Sequence, residues 1–300
     1  MSKVIRLSDA IARFVQNGDC VYAAGFTHLI PFAAGHEIIR QHKENLVLAR
    51  ATPDLIYDQI VAAGCARKVI FSYMGNPGVG SLRIVRSAIE SGKLEWEEYS
   101  HFGMISRLQA GATGVPFMPM NPTAAGDLER VNPLIRTVTD PYSGQNVAVV
   151  PALKPDVALV HVQRCDADGN AHIWGIIGEQ KEAAFAADSV LLTTEEIVDE
   201  SVIRSDPNRT LIPGFIVDAV CQVPHCAHPS YTQGYYDRDN AFYLEWDKIS
   251  ANPEAVKAYL DEWVYGVQDR EEYWQKLGPE AHERLQVSPR MSDVVNYGQY

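Results

Sequence analysis

The sequence predicts an α/β protein: an open, mostly parallel or mixed sheet with flanking helices and a helical C-terminal extension. Three observations carry this. Short apolar runs alternate with amphipathic stretches from the first residues onward, the pattern of successive βαβ units. With 46% hydrophobic and 21% charged residues, the 300-residue chain can fill a large core and lacks the bias of a disordered or collagen-like chain. No Pro/Gly/Ser-rich linker marks a boundary, so residues 1–300 read as one unit with a core over about 1–250 and the extension over about 251–300.

Element by element, Leu7 to Val15 carries apolar residues three and four apart, which predicts a helix with Ser8 as its cap. Cys20 to Ala24 is a buried-strand run closed by Gly25; Pro31 then suits a helix's first turn, and Ala33 to His42 continues it. Leu46–Ala49 is the next strand and Asp54 to Gly64 the next helix, ending on a glycine stop. Lys68–Tyr73 is a third strand, Ser81–Glu90 a third helix, Leu94–Tyr99 an edge strand, and His101–Gly114 a further helix. Residues 121–146, rich in Pro, Gly, Asp and Arg, read as a long surface excursion. Strands follow at Asn146–Val150, Val157–Val162 and Ala171–Trp174; the last two are joined as a hairpin by the turn-rich Asp166-Ala167-Asp168-Gly169-Asn170. Asp188–Thr194 and Phe215–Val223 complete the strands, and from Pro253 the chain is helical and charged before a polar tail.

Lys and Arg number 26 against 38 Asp and Glu, a formal net charge of −12, so no basic footprint for nucleic acid or an anionic membrane exists at whole-chain level. Five scattered cysteines, an odd count, read as reduced thiols of a cytoplasmic protein. No signal peptide and no membrane-spanning apolar run is expected.

Few motifs announce chemistry. The turn Ala24-Gly25-Phe26-Thr27 follows a strand and precedes a helix, where backbone N–H groups can face an anion at a switch point of the sheet. A plain strand-end turn is the other reading. Gly75-Asn76-Pro77-Gly78-Val79-Gly80-Ser81 fits neither the dinucleotide fingerprint nor a P-loop. Such a loop presents Ser72, Tyr73 and Asn76 to a small polar substrate, or is a tight turn. Cys221, His225, Cys226 and His228 do not have the spacing of a zinc site, so no metal is expected. Neither G-x-S-x-G nor H-E-x-x-H occurs, and no residue stands out as an activated nucleophile. Glu195 and Glu196, leaving a strand, read as capping or pairing within the fold.

Several segments together resemble the A (alpha) subunits of family I coenzyme A-transferases, most like the glutaconate CoA-transferase branch. They include Leu7-Ser8-Asp9-Ala10-Ile11, Asn17-Gly18-Asp19, Gly25-Phe26 with Pro31, Gly114-Val115-Pro116-Phe117-Met118-Pro119, and Asp156-Val157-Ala158-Leu159-Val160-His161. Thr194-Glu195-Glu196-Ile197, Ala227-His228-Pro229-Ser230 and Tyr236-Asp237-Arg238-Asp239-Asn240 continue the likeness in colinear order. The resemblance implies an alpha-type chain paired with a similar beta-type (B) chain, often as A2B2. A glutamate on the B chain then attacks the acyl-CoA thioester, and a glutamyl-CoA intermediate passes CoA to a carboxylic acid. Coenzyme A is thus a substrate, and no resident cofactor is implied.

It also implies Gly25, Phe26, Thr27 and Thr52 as candidates for oxyanion or CoA-loop contacts, and Ser72, Tyr73 and Asn76 as candidates for the acyl pocket. With only hydroxyls and an amide there before Arg83, the acyl chain is expected to be held by neutral hydrogen bonds. Relatives of this fold hydrolyse ring-opened CoA thioesters or decarboxylate acyl-CoA, and a non-catalytic binding or regulatory protein would share the fold. The hydrolase reading loses ground because Ser100-His101-Phe102-Gly103-Met104 holds no acid.

Overall fold

The computed structural model describes residues 2–76, 79–120 and 126–287. The first half alternates as expected: α1 (Leu7–Phe14), β1 (Cys20–Ala23), α2 (Phe32–Arg40), β2 (Leu46–Ala49), α3 (Leu55–Ala62), β3 (Ala66–Phe71), α4 (Arg83–Glu90), β4 (Glu95–Glu98) and α5 (His101–Thr113). Two of these helices start where their sequences provide a cap. The Asp54 carboxylate accepts from the Leu55 N–H at 2.7 Å, and the Ser100 hydroxyl accepts from the Gly103 N–H at 3.1 Å. Helix α1 does not: Arg6 is its cap residue, no side chain caps it, and Ser8 lies inside the first turn.

The stretch expected as a surface excursion is partly ordered as a small antiparallel sheet. β5 (Phe117–Met120), α6 (Leu128–Val131), β6 (Arg136–Thr139) and β7 (Asn146–Pro151) follow in turn, and β7 pairs with both β5 and β6. Arg136-Thr137-Val138-Thr139 alternates in type but is exposed at every position, so it carried no apolar-in signal. Residues 121–125 of that stretch lie outside the described residues, as do Pro77 and Gly78 of the glycine loop and the polar tail beyond 287.

β8 (Val157–Cys165) and β9 (Ala171–His172) form the expected hairpin, with Arg164 opposite His172. α7 (Gln180–Ala186), β10 (Ser189–Ile197), α8 (Glu200–Ser205), β11 (Thr210–Ile212) and β12 (Ala219–Gln222) come next. Phe215 belongs to a 3-10 turn over Gly214–Ile216 ahead of β12, so the strand read over Phe215–Val223 is shorter than expected. The chain closes with α9 (Asn240–Ile249), α10 (Pro253–Tyr259), a π-helical turn over Leu260–Tyr265, α11 (Arg270–Leu277) and α12 (Pro279–Arg284).

The main sheet has nine strands among the described residues. Its parallel body runs β4–β3–β2–β1–β8–β10–β12, with β9 and then β11 attached antiparallel beyond β8. Successive side chains of a strand enter opposite layers. Val21, Leu46 and Leu48 join Ile11, Phe32 and Ile38 on one face. Tyr22, Val47 and Ala49 join Met104, Leu108 and Val160 on the other. The C-terminal helices share the first of these layers through Tyr243, Trp246, Tyr259 and Leu260. Two buried carboxylates one helical turn apart on α3 and its cap hold them there. Tyr243 Oη donates to Asp54 at 2.9 Å and Trp246 Nε1 to Asp58 at 3.2 Å. Burial pushes the Asp58 carboxyl up to about 7.

Candidate active site

From β1 the chain winds outward through β2, β3 and β4, whereas β8, on the other flank of β1, leads to β10 and β12. The order reverses between β1 and β8, and ligands of open α/β sheets bind in the crevice outside the carboxyl ends at such a point. The turn singled out in the sequence sits there. Ala24 N–H still pairs with Leu159 O at 3.0 Å, and the backbone then leaves the sheet through Gly25 (φ +122°), Thr27 (φ +55°) and Leu29 (φ +57°). A Cβ on Gly25 would stand 2.7 Å from the His28 carbonyl oxygen and 2.8 Å from that of Leu29, so only glycine fits.

The scaffold holds this turn from several sides. Arg50 Nη2 donates to the Gly25 carbonyl, and the Ser230 hydroxyl donates to the Thr27 carbonyl at 2.7 Å. Leu29 N–H donates to Tyr231 O at 3.0 Å. His28 is fully buried; its Nδ1 lies 3.0 Å from the Ile176 carbonyl and its Nε2 accepts from the Gln233 N–H at 3.0 Å. Those partners fix the neutral Nδ1–H tautomer. Burial, which the bond to Ile176 only partly offsets, pushes the imidazole down to about 4. Because a trans peptide points its N–H opposite its C=O, pinning the Gly25 and Thr27 carbonyls points the Phe26 and His28 N–H groups the other way; His28 is fully buried, so of the two only Phe26, 38% exposed, can offer its N–H to a ligand. Neither has an acceptor among the described residues. The Thr27 hydroxyl oxygen is buried and equally unpartnered among them. Phe26 thus presents an unpartnered backbone donor at the switch point of the sheet.

The other sequence candidates lie at the neighbouring strand ends. Thr52 Oγ1 is 2.9 Å from His101 Nε2, joining the loop after β2 to the start of α5. The Ser72 hydroxyl, the Ser72 N–H and the Tyr73 N–H all donate to the Ala51 carbonyl, which ties the end of β3 to that of β2. Ser72 and Tyr73 also line a cleft of about 310 Å³ with Phe71, Met74, Arg86 and Glu98. Arg86 donates to the Met74 carbonyl at 3.0 Å. Helical spacing on α4 thus returns Arg86 to the strand end, a cation the sequence analysis did not place there, while Arg83 pairs with Asp247 at 2.9 Å. Asn76 does not line that cleft. Its backbone closes a turn with Gly80 at 3.0 Å, and its buried Nδ2 has no acceptor among the described residues. A larger groove of about 920 Å³ lies among Val61, Ile84, Val256, Leu260 and Tyr265 and includes none of these strand-end candidates.

Glu195, read from the sequence as capping or pairing within the fold, does pair: it sits in a buried polar cluster behind the crevice whose other members the sequence did not single out. β8 and β10 extend past the end of β1 and carry His161 and Glu195, both buried. Glu195 accepts from His161 Nε2 at 2.8 Å, Tyr236 Oη at 2.8 Å, Thr232 Oγ1 at 3.1 Å and the His225 N–H at 2.7 Å. His161 Nδ1 lies 3.1 Å from the Thr193 carbonyl, so both ring nitrogens face acceptors and the ring is an imidazolium. Burial opposes that charge, but Cys226 and Glu195 outweigh it and raise the His161 pKa. The same contact lowers that of Glu195 against its own burial. A glutamate inside an otherwise apolar strand was the available signal. The Cys221, His225, Cys226 and His228 run does not converge. His225 stacks on Trp274, whereas His228 bonds Tyr273 and Asp239. Among the described residues no three His, Cys, Asp or Glu side chains form a ligand set, and no helix is long and apolar enough to cross a membrane.

Comparison with known proteins accords with this geometry. The coenzyme A transferase family profile matches residues 4–222. The A subunit of 3-oxoadipate CoA-transferase from Pseudomonas knackmussii is 47% identical over 92% of this chain and 99% of its own length. The A subunit of glutaconate CoA-transferase from Acidaminococcus fermentans is 36% identical over 96% of each chain. The crystal structure of glutaconate coenzyme A-transferase from that organism superposes with a TM-score of 0.90 over 96% of both chains, at 35% identity. By profile, sequence and fold, this chain belongs to the coenzyme A transferase family and is similar along nearly its whole length to A-type subunits.

Proposed function

We propose that the chain is the A subunit of a heteromeric CoA-transferase and that a B subunit completes its active site, as an A2B2 assembly. In this reading a glutamate on the partner attacks the acyl-CoA carbonyl. The C–S bond breaks, coenzyme A leaves as its thiolate, and a mixed acyl–glutamyl anhydride remains. The thiolate then attacks the glutamyl carbonyl, releases the first acid as its carboxylate, and leaves a glutamyl-CoA thioester. The acceptor acid runs the same two steps in reverse, so electrons and protons balance without a further reactant.

The observation that carries the reading is the Gly25–Leu29 turn, whose exposed Phe26 N–H lacks an acceptor among the described residues. Each addition step develops an oxyanion, and preorganised backbone donors in a water-poor site stabilise it strongly. No described side chain at the crevice is an activated nucleophile, which fits a nucleophile supplied by another chain. Thr52, beside the turn's crevice and bonded to His101, is the side-chain candidate for the same edge.

For the acyl group we propose a distal carboxylate. The relatives above act on 3-oxoadipate and glutaconate, both dicarboxylates. The cleft lined by Ser72 and Tyr73 also holds Arg86, whose guanidinium suits a carboxylate better than hydroxyls do. All five cysteines are free thiols, in keeping with a cytoplasmic site of action.

The test purifies the chain alone and with its co-expressed partner. CoA exchange is then assayed with 3-oxoadipate, glutaconate and butyrate as acceptors, and the mass of the assembly is measured. The expected result is no turnover by the isolated chain, turnover by the complex, and preference for the diacids. Robust transfer by the chain alone defeats the proposal.

A further inference from the structure

Behind the Gly25–Leu29 turn lie two buried ionisable side chains that the reaction scheme does not use. Arg50 directly follows β2 and is 1% exposed; Glu179 directly precedes α7 and is 3% exposed. A guanidinium stays protonated, and burying one is unfavourable unless its donors are spent well. Here they are not spent on a salt bridge. Among the described residues Nε and Nη1 have no acceptor, and Glu179 Oε1 has no donor. Burial raises the Glu179 pKa, which disfavours its charged form. Among the described residues, Arg50's one side-chain hydrogen bond goes to the Gly25 carbonyl. The buried charge is thus committed to a turn carbonyl.

We propose that Arg50 is a positioning residue for the transfer reaction: its guanidinium fixes and polarises the Gly25–Phe26 peptide, aiming the Phe26 N–H at the developing oxyanion. The inference rests on the reading of the turn as oxyanion support. Two physical effects follow from the geometry. A cation donating to the carbonyl of a peptide draws density from that peptide and makes its N–H a better donor, as in cooperative hydrogen-bond chains. Anchoring the carbonyl also removes the rotation of the peptide plane that would swing the N–H out of line. That freedom matters at a turn where Gly25 (φ +122°) precedes two non-glycine residues of positive φ. Lysine at this position would keep the charge but not the planar fork.

The experiment uses the complex of the chain with its partner and compares wild type with Arg50→Gln and Arg50→Lys. It measures kcat and KM for acyl-CoA and follows, by intact mass, the rate at which the CoA thioester forms on the partner. Arg50→Gln is expected to lower kcat and the loading rate about 100-fold, the order of loss that a misplaced catalytic group produces. Arg50→Lys should lose about tenfold, and KM should stay within about threefold in both. A simple packing defect would not order kcat in this way at constant KM. If Arg50→Gln fails to assemble, Arg50→Lys decides by the same criterion. Wild-type kcat in the variants, or a loss carried by KM, overturns the role of Arg50 while leaving transfer by the wild-type complex intact. A wild-type complex that transfers nothing overturns the functional reading itself.

Discussion

Replacing Gly25 by alanine tests the turn most directly. At φ +122° a Cβ is strained by about 1–3 kcal/mol. That Cβ would also lie 2.7 and 2.8 Å from two backbone carbonyl oxygens, and overpacking of this kind costs a further ~1–3 kcal/mol. Gly18 is the matched control, since it has φ +92° but nothing within 4 Å of its Cβ, leaving strain alone. At about 2.1 cal/mol/K per residue, 300 residues give an unfolding entropy of about 0.6 kcal/mol/K. A loss of about 4 kcal/mol for Gly25→Ala then lowers Tm by about 6 °C, against about 2–3 °C for Gly18→Ala. Calorimetry of the two variants reads that gap. In the assembled enzyme, Gly25→Ala should also lose about 10²–10³ in kcat as the donor shifts, while Gly18→Ala keeps its activity. Equal melting temperatures together with unchanged kcat would refute both the clash and the role of the turn.

Two further outcomes are expected. His28 is held neutral in the fold, at about 4, whereas the unfolded chain protonates it near 6.5. Its contribution is therefore complete above about 6.5 and fades as pH falls toward 4. His28→Gln should flatten the pH dependence of urea-unfolding stability in that window by about 1.4 kcal/mol per pH unit; an unaltered slope means that His28 is protonated in the native protein. Glu195→Ala leaves the buried His161 imidazolium without its carboxylate, so equilibrium unfolding should show a loss of about 3–5 kcal/mol. A loss below about 1 kcal/mol would show that no ion pair exists there.

The order of strands and helices could be read from the chain because each parallel strand is a short apolar run and each crossover an amphipathic one. Asp54 and Pro31 mark helix starts through local chemistry, and so they were legible. The small β5–β7–β6 sheet was not, since β6 faces solvent along its whole length and so has no inward side to alternate. At the site, Gly25 and Ser72 announced themselves by standing at strand ends. Arg50 and Glu179 did not, because what matters about them is burial against a turn distant in sequence, and Arg50-Ala51-Thr52 reads from outside as an exposed loop. Arg86 was missed for a related reason: only the return of α4 over β3 brings it to the cleft. His161 and Glu195 become partners through the pairing of β8 with β10, a relation that spacing along the chain does not encode.

The sharing of one core layer by the first and last parts of the chain has a consequence for biosynthesis. Tyr243 and Trp246 close over Asp54 and Asp58, so a nascent polypeptide that has emerged only as far as β12 lacks one donor to each of these two carboxylates. It also leaves bare the apolar flank of α2 and α3 that Tyr259 and Leu260 would cover. Domains emerging from the ribosome fold as units, and exposed apolar surface in that interval invites aggregation. Here the unit cannot close until the helices after residue 240 have been made. A stop codon that removes α9 to α12 should therefore yield insoluble, rapidly degraded protein rather than a shortened but working chain.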